Sequence, residues 1–304
     1  PTGPLHFGSL VAAVGSYLDA RAHGGKWLLR IEDLDTPRCV PGAADNIIAS
    51  LERFGFEWDG EIVWQAGRLD AYHAALDVLR DHGHVFGCAC TRREIADSAL
   101  ARDGSRVYPG TCRNGLPPGR SARAWRVRVE GQIAFEDAVQ GLQREDLPVE
   151  TGDFVVLRAD GMFAYQLAVV VDDASAGVTD VVRGADLLDS TGRQICLQRL
   201  LGVPTPRYAH LPVAVNASGE KLSKQTHANS IDDTRPQAAW LAALAFLGQN
   251  PPDILRDASL AEVHQWSIKH WSLTNVPRTR QARTPCGYHG VTTPAGPALP
   301  RNPQ

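Results

Sequence analysis

Lysine is scarce in this chain. Lys and Arg together number 31, yet the only lysines are Lys26, Lys221, Lys224 and Lys269. Two of them fall within one four-residue stretch, which marks that stretch out. Long apolar runs are also missing. The best is Leu167–Val171, far short of the roughly 20 residues that span a bilayer, so no membrane partner is expected. The six cysteines, at 39, 88, 90, 112, 196 and 286, lack the dense spacing of a secreted disulfide scaffold. A reduced, cytoplasmic setting is expected. No strong charge excess is present either: the net charge is −3, which neither demands nor forbids a nucleic-acid partner, because binding needs only a local basic face. The chain begins at Pro1 instead of Met, inside a motif. The expectation is that a segment precedes it, which leaves a targeting segment open.

What is present reads as a folded α/β protein. With 304 residues, 43% hydrophobic and 21% charged, the chain can bury a substantial core in two or three modules. The first stretch, Pro1-Thr2-Gly3-Pro4-Leu5-His6-Phe7-Gly8-Ser9, delivers His, Gly and Ser to an apolar-periodic helix over 10–21, with Ser9 as its N-cap. Leu10, Val14, Tyr17 and Leu18 share its inner face, and Gly24-Gly25 stops it. Such a helix start suits a phosphate, with His6 as donor and Gly8 allowing close approach. It equally suits an ordinary turn.

Trp27–Ile31 reads as a buried parallel strand ending in the acidic run Glu32-Asp33-Leu34-Asp35, placed for a ligand or a solvated turn. Pro41 is expected to open a helix over 41–54, and a further helix is expected over 68–82 around a short strand at 62–64. The pattern shifts at Cys88-Ala89-Cys90, and residues 125–158 read as β-rich. Strands are expected at 178–182 and 209–215, and helices at 191–201, 235–248 and 259–270. The divisions are 1–85, first half of the nucleotide-binding domain; 86–180, an inserted module; 181–230, second half with the Lys loop; 231–276, a short helical domain; and 277–304, a Pro-rich tail expected to be disordered.

Lys221-Leu222-Ser223-Lys224 places two ammonium groups and a hydroxyl on a loop after a strand. Lysine is a mobile point charge suited to phosphate, and the bland alternative is an exposed charged loop. The two stretches together, His-x-Gly-Ser early and Gly-x-Lys-x-x-Lys late, resemble the HIGH and KMSKS motifs of class I aminoacyl-tRNA synthetases. Arg30-Ile31-Glu32-Asp33-x-Asp35, Val182-Arg183-Gly184-Ala185-Asp186-Leu187 and His210-Leu211-Pro212 are similar to the glutamyl-tRNA synthetase branch. His-Phe-Gly-Ser, Lys-Leu-Ser-Lys-Gln and the short stretch after the Lys loop resemble its short paralogues, which act on queuosine in tRNA(Asp). The resemblance covers about residues 1–275.

The resemblance implies a class I synthetase Rossmann-type domain with a zinc-containing insertion and a short C-terminal helical region. It implies a ligase that activates L-glutamate with ATP and Mg²⁺ and transfers it to queuosine at the wobble position of tRNA(Asp). His6, Lys221, Ser223 and Lys224 would be catalytic. Pro1, Gly3, His6, Gly8, Ser9 and Lys224 would bind ATP, while Glu32, Tyr165 and Arg183 would bind glutamate. The family has a strand before the Pro1 motif that contributes to both substrates, so this chain by itself is expected to be impaired. A monomer is expected. A glutamyl-tRNA synthetase fragment that charges the tRNA 3′ end, or a silent zinc- and RNA-binding relative, are the alternatives.

Cys88, Cys90 and Cys112 offer three thiolates, and zinc wants four ligands. His82, His84 and Tyr108 are near in sequence; the resemblance selects Tyr108, and one structural Zn²⁺ is implied. Arg92-Arg93 and the run Arg113, Arg120, Arg123, Arg126, Arg128 are either an RNA-facing surface or a solvated one.

Overall fold

The structure is a computed structural model that describes residues 1–101, 103–216, 219–221 and 230–285. Helix α1 spans Phe7–Ala22, and the side chain of His6, its N-cap, accepts from the Ser9 N–H. This corrects the expected cap. Ser9 lies inside the first turn, because the imidazole two residues before Gly8 already answers its amide. Phe7, Leu10, Val11, Val14, Tyr17 and Leu18 are buried along the inner face, as their spacing indicates. Gly24, at φ +68°, ends the helix in the left-handed conformation. At Gly15 a Cβ would come 2.4 Å from Leu211 Cδ1, so glycine lets α1 lie directly on the sheet.

Strand β1 (Arg30–Ile31) pairs in parallel with β2 (Val63–Trp64). The strand is shorter than the Trp27–Ile31 run because the Trp27 N–H is taken by the Asp59 carboxylate, at 2.8 Å. Helix α2 is Ala43–Arg53, and its N-cap is Gly42 in the left-handed region, at φ 73°. Pro41 therefore precedes the helix instead of opening it. Helix α3 (Leu69–Asp81) leads to an antiparallel sheet of β3 (Val85–Cys88), β4 (Ala124–Val127) and, after the next hairpin, a short strand at Val155–Leu157.

The hairpin is β5 (Gln132–Asp137) and β6 (Gly141–Asp146), followed by the one-turn helix α4 (Leu147–Glu150) and by β7, the Val155–Leu157 strand. The Leu167–Val171 run lies in helix α5 (Tyr165–Ala176). Then come β8 (Asp180–Gly184), α6 (Thr191–Leu201), β9 (Arg207–Leu211) and β10 (Val213–Val215). Pro212 separates β9 from β10, since it has no N–H to pair. The main sheet runs β6-β5-β9-β8. Both β8 and β5 are parallel to β9. Hence the 132–146 hairpin, from the stretch read as inserted, extends the sheet that carries β8 and β9.

Helices α7 (Pro236–Phe246) and α8 (Leu260–His270) pack against α1; α8 starts in a Ser259/Glu262 capping box. One apolar core joins α1 with Trp240, Leu244 and Val263 of these helices. A second joins Tyr72, Leu76 and Leu79 of α3 with Leu167, Ala168 and Ile195 of α5 and α6.

The expectation of a disordered tail from Pro277 fails over 277–285. Strand β11 (Gln281–Arg283) pairs in parallel with β10, a main-chain contact that needs no apolar period. The rest of that expectation, 286–304, lies outside the described residues.

His264 stacks on Trp240 with ring centroids 3.9 Å apart, and its Nε2 is buried without a hydrogen-bond partner among the described residues. Burial pushes its pKa below the ordinary histidine value. The unfolded chain therefore binds a proton at higher pH than the folded one. The stability this neutral ring confers is present above about pH 6.5 and is lost as pH falls, at no more than about 1.4 kcal/mol per pH unit. In thermal melts between pH 7.5 and 5.5, His264→Phe is expected to show a shallower acid loss than the parent; an unchanged slope contradicts this.

Candidate active site

Residues from β1, α5 and β8 come together in one charged cluster. Arg183 sits near the end of β8. Its Nε donates to His210 Nε2 at 3.0 Å, and its NH2 donates to Gln194 Oε1 at 2.8 Å and Thr191 Oγ1 at 3.0 Å. Its NH1 donates to the Tyr165 hydroxyl at 3.4 Å. Tyr165 starts α5, and burial, with Glu32 among the nearby charges, raises its pKa. Glu32 is exposed and accepts from Arg30 NH2 at 3.3 Å. Arg30 also donates to Asp173 at 2.6 Å. Burial raises the Asp173 carboxyl above its ordinary range despite Arg30. The cluster thus holds a cation with a hydroxyl beside it and carboxylates nearby, a layout that suits a ligand carrying both charges. Glu32, Tyr165 and Arg183, singled out from sequence, are brought together. Arg30, Asp173, Gln194, Thr191 and His210 are additional. Two of these, Arg30 and His210, stand inside the motifs quoted above; the others carry no local sequence signal.

Beside this cluster, buried Asp172 accepts from Gln65 Nε2 at 2.8 Å, the Tyr72 hydroxyl at 2.9 Å and Arg68 Nε at 2.5 Å. It ties α5 to α3. Neighbouring carboxylates on one helical turn thus divide the work, Asp172 inward and Asp173 toward Arg30.

The start of α1 forms a second cluster. His6 Nδ1 accepts from the Ser9 N–H at 3.2 Å, and Nε2 lies 3.3 Å from Ser9 Oγ. A Cβ on Gly8 would sit 3.2 Å from His6 Cε1 and Nδ1 and 3.8 Å from Ala214 Cβ. Gly8 therefore leaves room for the ring and sets the helix start against β10. Pro1 is anchored through its carbonyl, which accepts from the Val40 N–H at 3.0 Å, and Gly3 has φ 147°. Beyond β10, Val215 bridges to Lys221, so the root of the Lys loop adjoins the helix start. Lys221 Nζ donates to Asp186 at 2.7 Å. A Cβ on Gly184 would fall 2.4 Å from Asp186 Oδ1, so glycine there leaves room for the carboxylate in this position. Ser223 and Lys224 lie outside the described residues.

Cys88, Cys90 and Cys112 come together with their sulfurs within 4.8 Å of one another. The Tyr108 hydroxyl lies 3.4 Å from both Cys88 and Cys90 Sγ, and Cys90 and Cys112 Sγ are 3.7 Å apart. The Cys112 N–H donates to the Tyr108 oxygen at 2.8 Å, and the Arg126 guanidinium stacks 4.0 Å from its ring centroid. Burial opposes ionisation of Cys88, but the Tyr108 hydroxyl and Arg126 hold its thiol below the ordinary value. His82 and His84 stack on each other, centroids 5.9 Å apart, and are not in this cluster.

The arginine run divides. Arg113 pairs with Asp153 and Arg120 with Glu94, while Arg126 is buried and donates to the Asp153 carbonyl. These three brace the module and do not form an open basic face. Among the described residues, no helix is long and apolar enough to cross a membrane.

A mixed α/β fold, with a charged cluster beside its parallel strands and a His capping the first helix, fits enzymes of the synthetase type. The model of class I tRNA synthetases (E and Q), catalytic domain, matches residues 1–253, and the chain belongs to this family. It is 72% identical over 288 residues to the glutamyl-Q tRNA(Asp) synthetase of Aromatoleum aromaticum, covering 95% of this chain and 91% of that one. It is 60% identical to the glutamyl-Q tRNA(Asp) synthetase of Dechloromonas aromatica, covering 91% and 93%. A crystal structure of a glutamate tRNA ligase from Elizabethkingia meningosepticum, in complex with its amino acid, superposes with a TM-score of 0.78 at 25% identity. The match covers 95% of this chain and 66% of that ligase, so this chain spans just under two thirds of its length.

Asp172→Ala removes a buried carboxylate while leaving Arg68, Gln65 and Tyr72 in place. A stability loss of about 3 kcal/mol is expected in urea unfolding. A loss below about 1 kcal/mol contradicts the role given to Asp172.

Proposed function

We propose that this chain activates L-glutamate with ATP and transfers the glutamyl group to queuosine at the wobble position of tRNA(Asp). The observation that carries the reading is the cluster in which the Arg183 guanidinium meets the Tyr165 hydroxyl, with the Glu32 carboxylate among the charges acting on that tyrosine. A cation with a hydroxyl suits a carboxylate, and a separate carboxylate suits an ammonium group. Relatives named glutamyl-Q tRNA(Asp) synthetase, over nearly the whole chain, supply the acceptor.

In the first step the α-carboxylate of glutamate attacks the α-phosphorus of ATP. The bond to the bridging oxygen breaks, pyrophosphate leaves, and glutamyl-adenylate remains. In the second step a hydroxyl of the queuosine cyclopentene ring attacks the activated carbonyl, its proton is lost, and AMP leaves. No covalent enzyme intermediate is required, so the chain's part is positioning and charge stabilisation. Glu32 holds the substrate ammonium, and Tyr165 and Arg183 hold carboxylate oxygens. His6 and the backbone from Pro1 through Gly3 and Gly8 to Ser9 cradle the phosphates at the start of α1. Lys224 neutralises charge that builds on them, with Lys221 and Ser223 in support. Mg²⁺ bound with ATP screens the same phosphates.

Cys88, Cys90, Tyr108 and Cys112 hold a structural zinc ion in this reading. Tetrahedral ligation at ordinary zinc distances sets sulfur–sulfur edges of about 3.8 Å and sulfur–oxygen edges of about 3.5 Å; the Cys90–Cys112 pair at 3.7 Å and the Tyr108 oxygen at 3.4 Å from Cys88 and Cys90 lie near these, with all three sulfurs within 4.8 Å. All four donor positions are filled by protein, which leaves none for chemistry. The N–H groups of Ala89 and Cys112, directed at the Cys112 sulfur and the Tyr108 oxygen, suit anionic ligands.

Glutamate-dependent exchange of pyrophosphate into ATP, without tRNA, tests activation: exchange with glutamate but not glutamine is expected, and none with glutamate, from a chain that also carries the family's strand before the Pro1 motif, rejects it. Nuclease mapping of radiolabelled product then locates the acceptor. Label in an anticodon fragment is expected; label on the terminal adenosine overturns the acceptor assignment in favour of 3′-end charging. For the metal, purified protein is expected to contain about one zinc per chain, and Cys112→Ala to lose it and melt earlier. Metal-free protein with an unaltered melt counts against the zinc site.

A further inference from the structure

Two buried residues stand behind Arg183 without any part in the proposed chemistry. His210 and Asp137 have fully buried side chains. Parallel pairing sets Arg183 directly beside His210, and Asp137 beside Tyr208, so neighbouring strands β8, β9 and β5 each supply one member of a row. The contacts are continuous. His210 Nδ1 is 2.5 Å from Asp137 Oδ2, and Arg183 Nε is 3.0 Å from His210 Nε2. Asp137 Oδ1 accepts from the N–H groups of Val139 at 3.0 Å, Gln140 at 2.8 Å and His210 at 3.1 Å. That carboxylate is therefore built into the sheet as an anion.

These contacts fix the proton. An arginine Nε–H can only donate, so the His210 Nε2 facing it must be an unprotonated acceptor. The ring proton then sits on Nδ1 and is given to Asp137. A second proton on the ring would place two cations face to face and leave the Arg183 Nε–H unanswered in a buried place. Burial pushes the His210 pKa below the ordinary value in spite of Asp137, and Arg183 acts in the same direction.

We propose that Asp137 and His210 are positioning residues for glutamate: Asp137 sets the His210 tautomer, and His210 fixes the Arg183 guanidinium so that its NH1 edge faces the substrate beside Tyr165. The inference rests on the reading of the cluster as a glutamate site. With Nε held by His210 and NH2 by Gln194 and Thr191, the plane of the fork is set from three sides. Without His210 the guanidinium is free to turn toward the carboxylate of Asp173, whose ionisation it already favours. That reorientation weakens glutamate binding and leaves the phosphate end untouched.

The test compares the full chain with His210→Phe, which removes the acceptor, and His210→Gln, whose amide oxygen restores one. In glutamate-dependent pyrophosphate exchange, His210→Phe is expected to raise the KM for glutamate about ten- to hundredfold, with the KM for ATP unchanged, and His210→Gln to recover most of the loss. A folded His210→Phe protein with an unchanged glutamate KM, or equal losses for glutamate and ATP, overturns the proposal. Nitrogen-15 NMR of labelled histidine gives a readout that needs no activity. His210 Nε2 is expected to be pyridine-like and Nδ1 protonated, with Nε2 shifting in Arg183→Met. A protonated Nε2, or no shift on loss of the guanidinium, overturns the proposal even if both His210 variants fail to fold. Parent protein, extended by the family's strand before the Pro1 motif, that shows the expected NMR signature but no exchange with glutamate removes the glutamate reading and, with it, the positioning role, while leaving the Asp137–His210–Arg183 row intact.

Discussion

A guanidinium partly withdrawn from water needs its donors answered, and much of the cluster is arranged around answering those of Arg183. Its partners come from β9 and α6. The parallel register of β8 and β9 places His210 alongside it. Helix α6 begins at Thr191, immediately after the loop that follows β8, so its first two turns supply Thr191 and Gln194. Helix α5 brings Tyr165 to the remaining edge. A shift of one residue in the β8–β9 pairing would turn His210 to the opposite face and leave the Nε donor without its acceptor. Sheet register and site chemistry are one constraint here.

The same arrangement explains which parts were legible in the sequence. Helix α3 follows from its apolar spacing, and α6 falls at Thr191–Leu201 as read. Paired local motifs marked His6, Glu32, Arg183 and Lys221, because each sits in a short run whose residue types have a chemical reason to be adjacent. Residues that act across strands were not legible. Asp137 lies on a β-hairpin whose local pattern gives no hint of His210, 73 residues away. The cap of α1 was misassigned for a related reason: an imidazole can accept an amide hydrogen bond as a serine hydroxyl does, and only the three-dimensional placement of Gly8 shows that His6 takes the role. β11 was missed because backbone pairing leaves no side-chain period to read.

Basic residues in the 86–128 stretch show the limit of composition. Arg113, Arg120 and Arg126 look alike in a string, yet Asp153, Glu94 and the ring of Tyr108 claim them separately. Arg126 lies over the very tyrosine that joins the cysteine cluster, so a side chain that reads as either RNA-facing or solvated instead favours the Cys88 thiolate. The cysteine spacing itself is informative, since Cys88, Cys90 and Cys112 bring their sulfurs within 4.8 Å of one another with the Tyr108 hydroxyl beside two of them.

The central claim is that the Arg183 cluster and the α1 start are two ends of one glutamyl-adenylate site. A crystal structure with a non-hydrolysable glutamyl-adenylate analogue tests it most directly. The account predicts the glutamyl side-chain carboxylate on the NH1 edge of Arg183 and Tyr165, the ammonium on Glu32, and the adenylate at His6 and Gly8. An analogue bound with its glutamyl group away from Arg183, or with its adenylate remote from the start of α1, would contradict it.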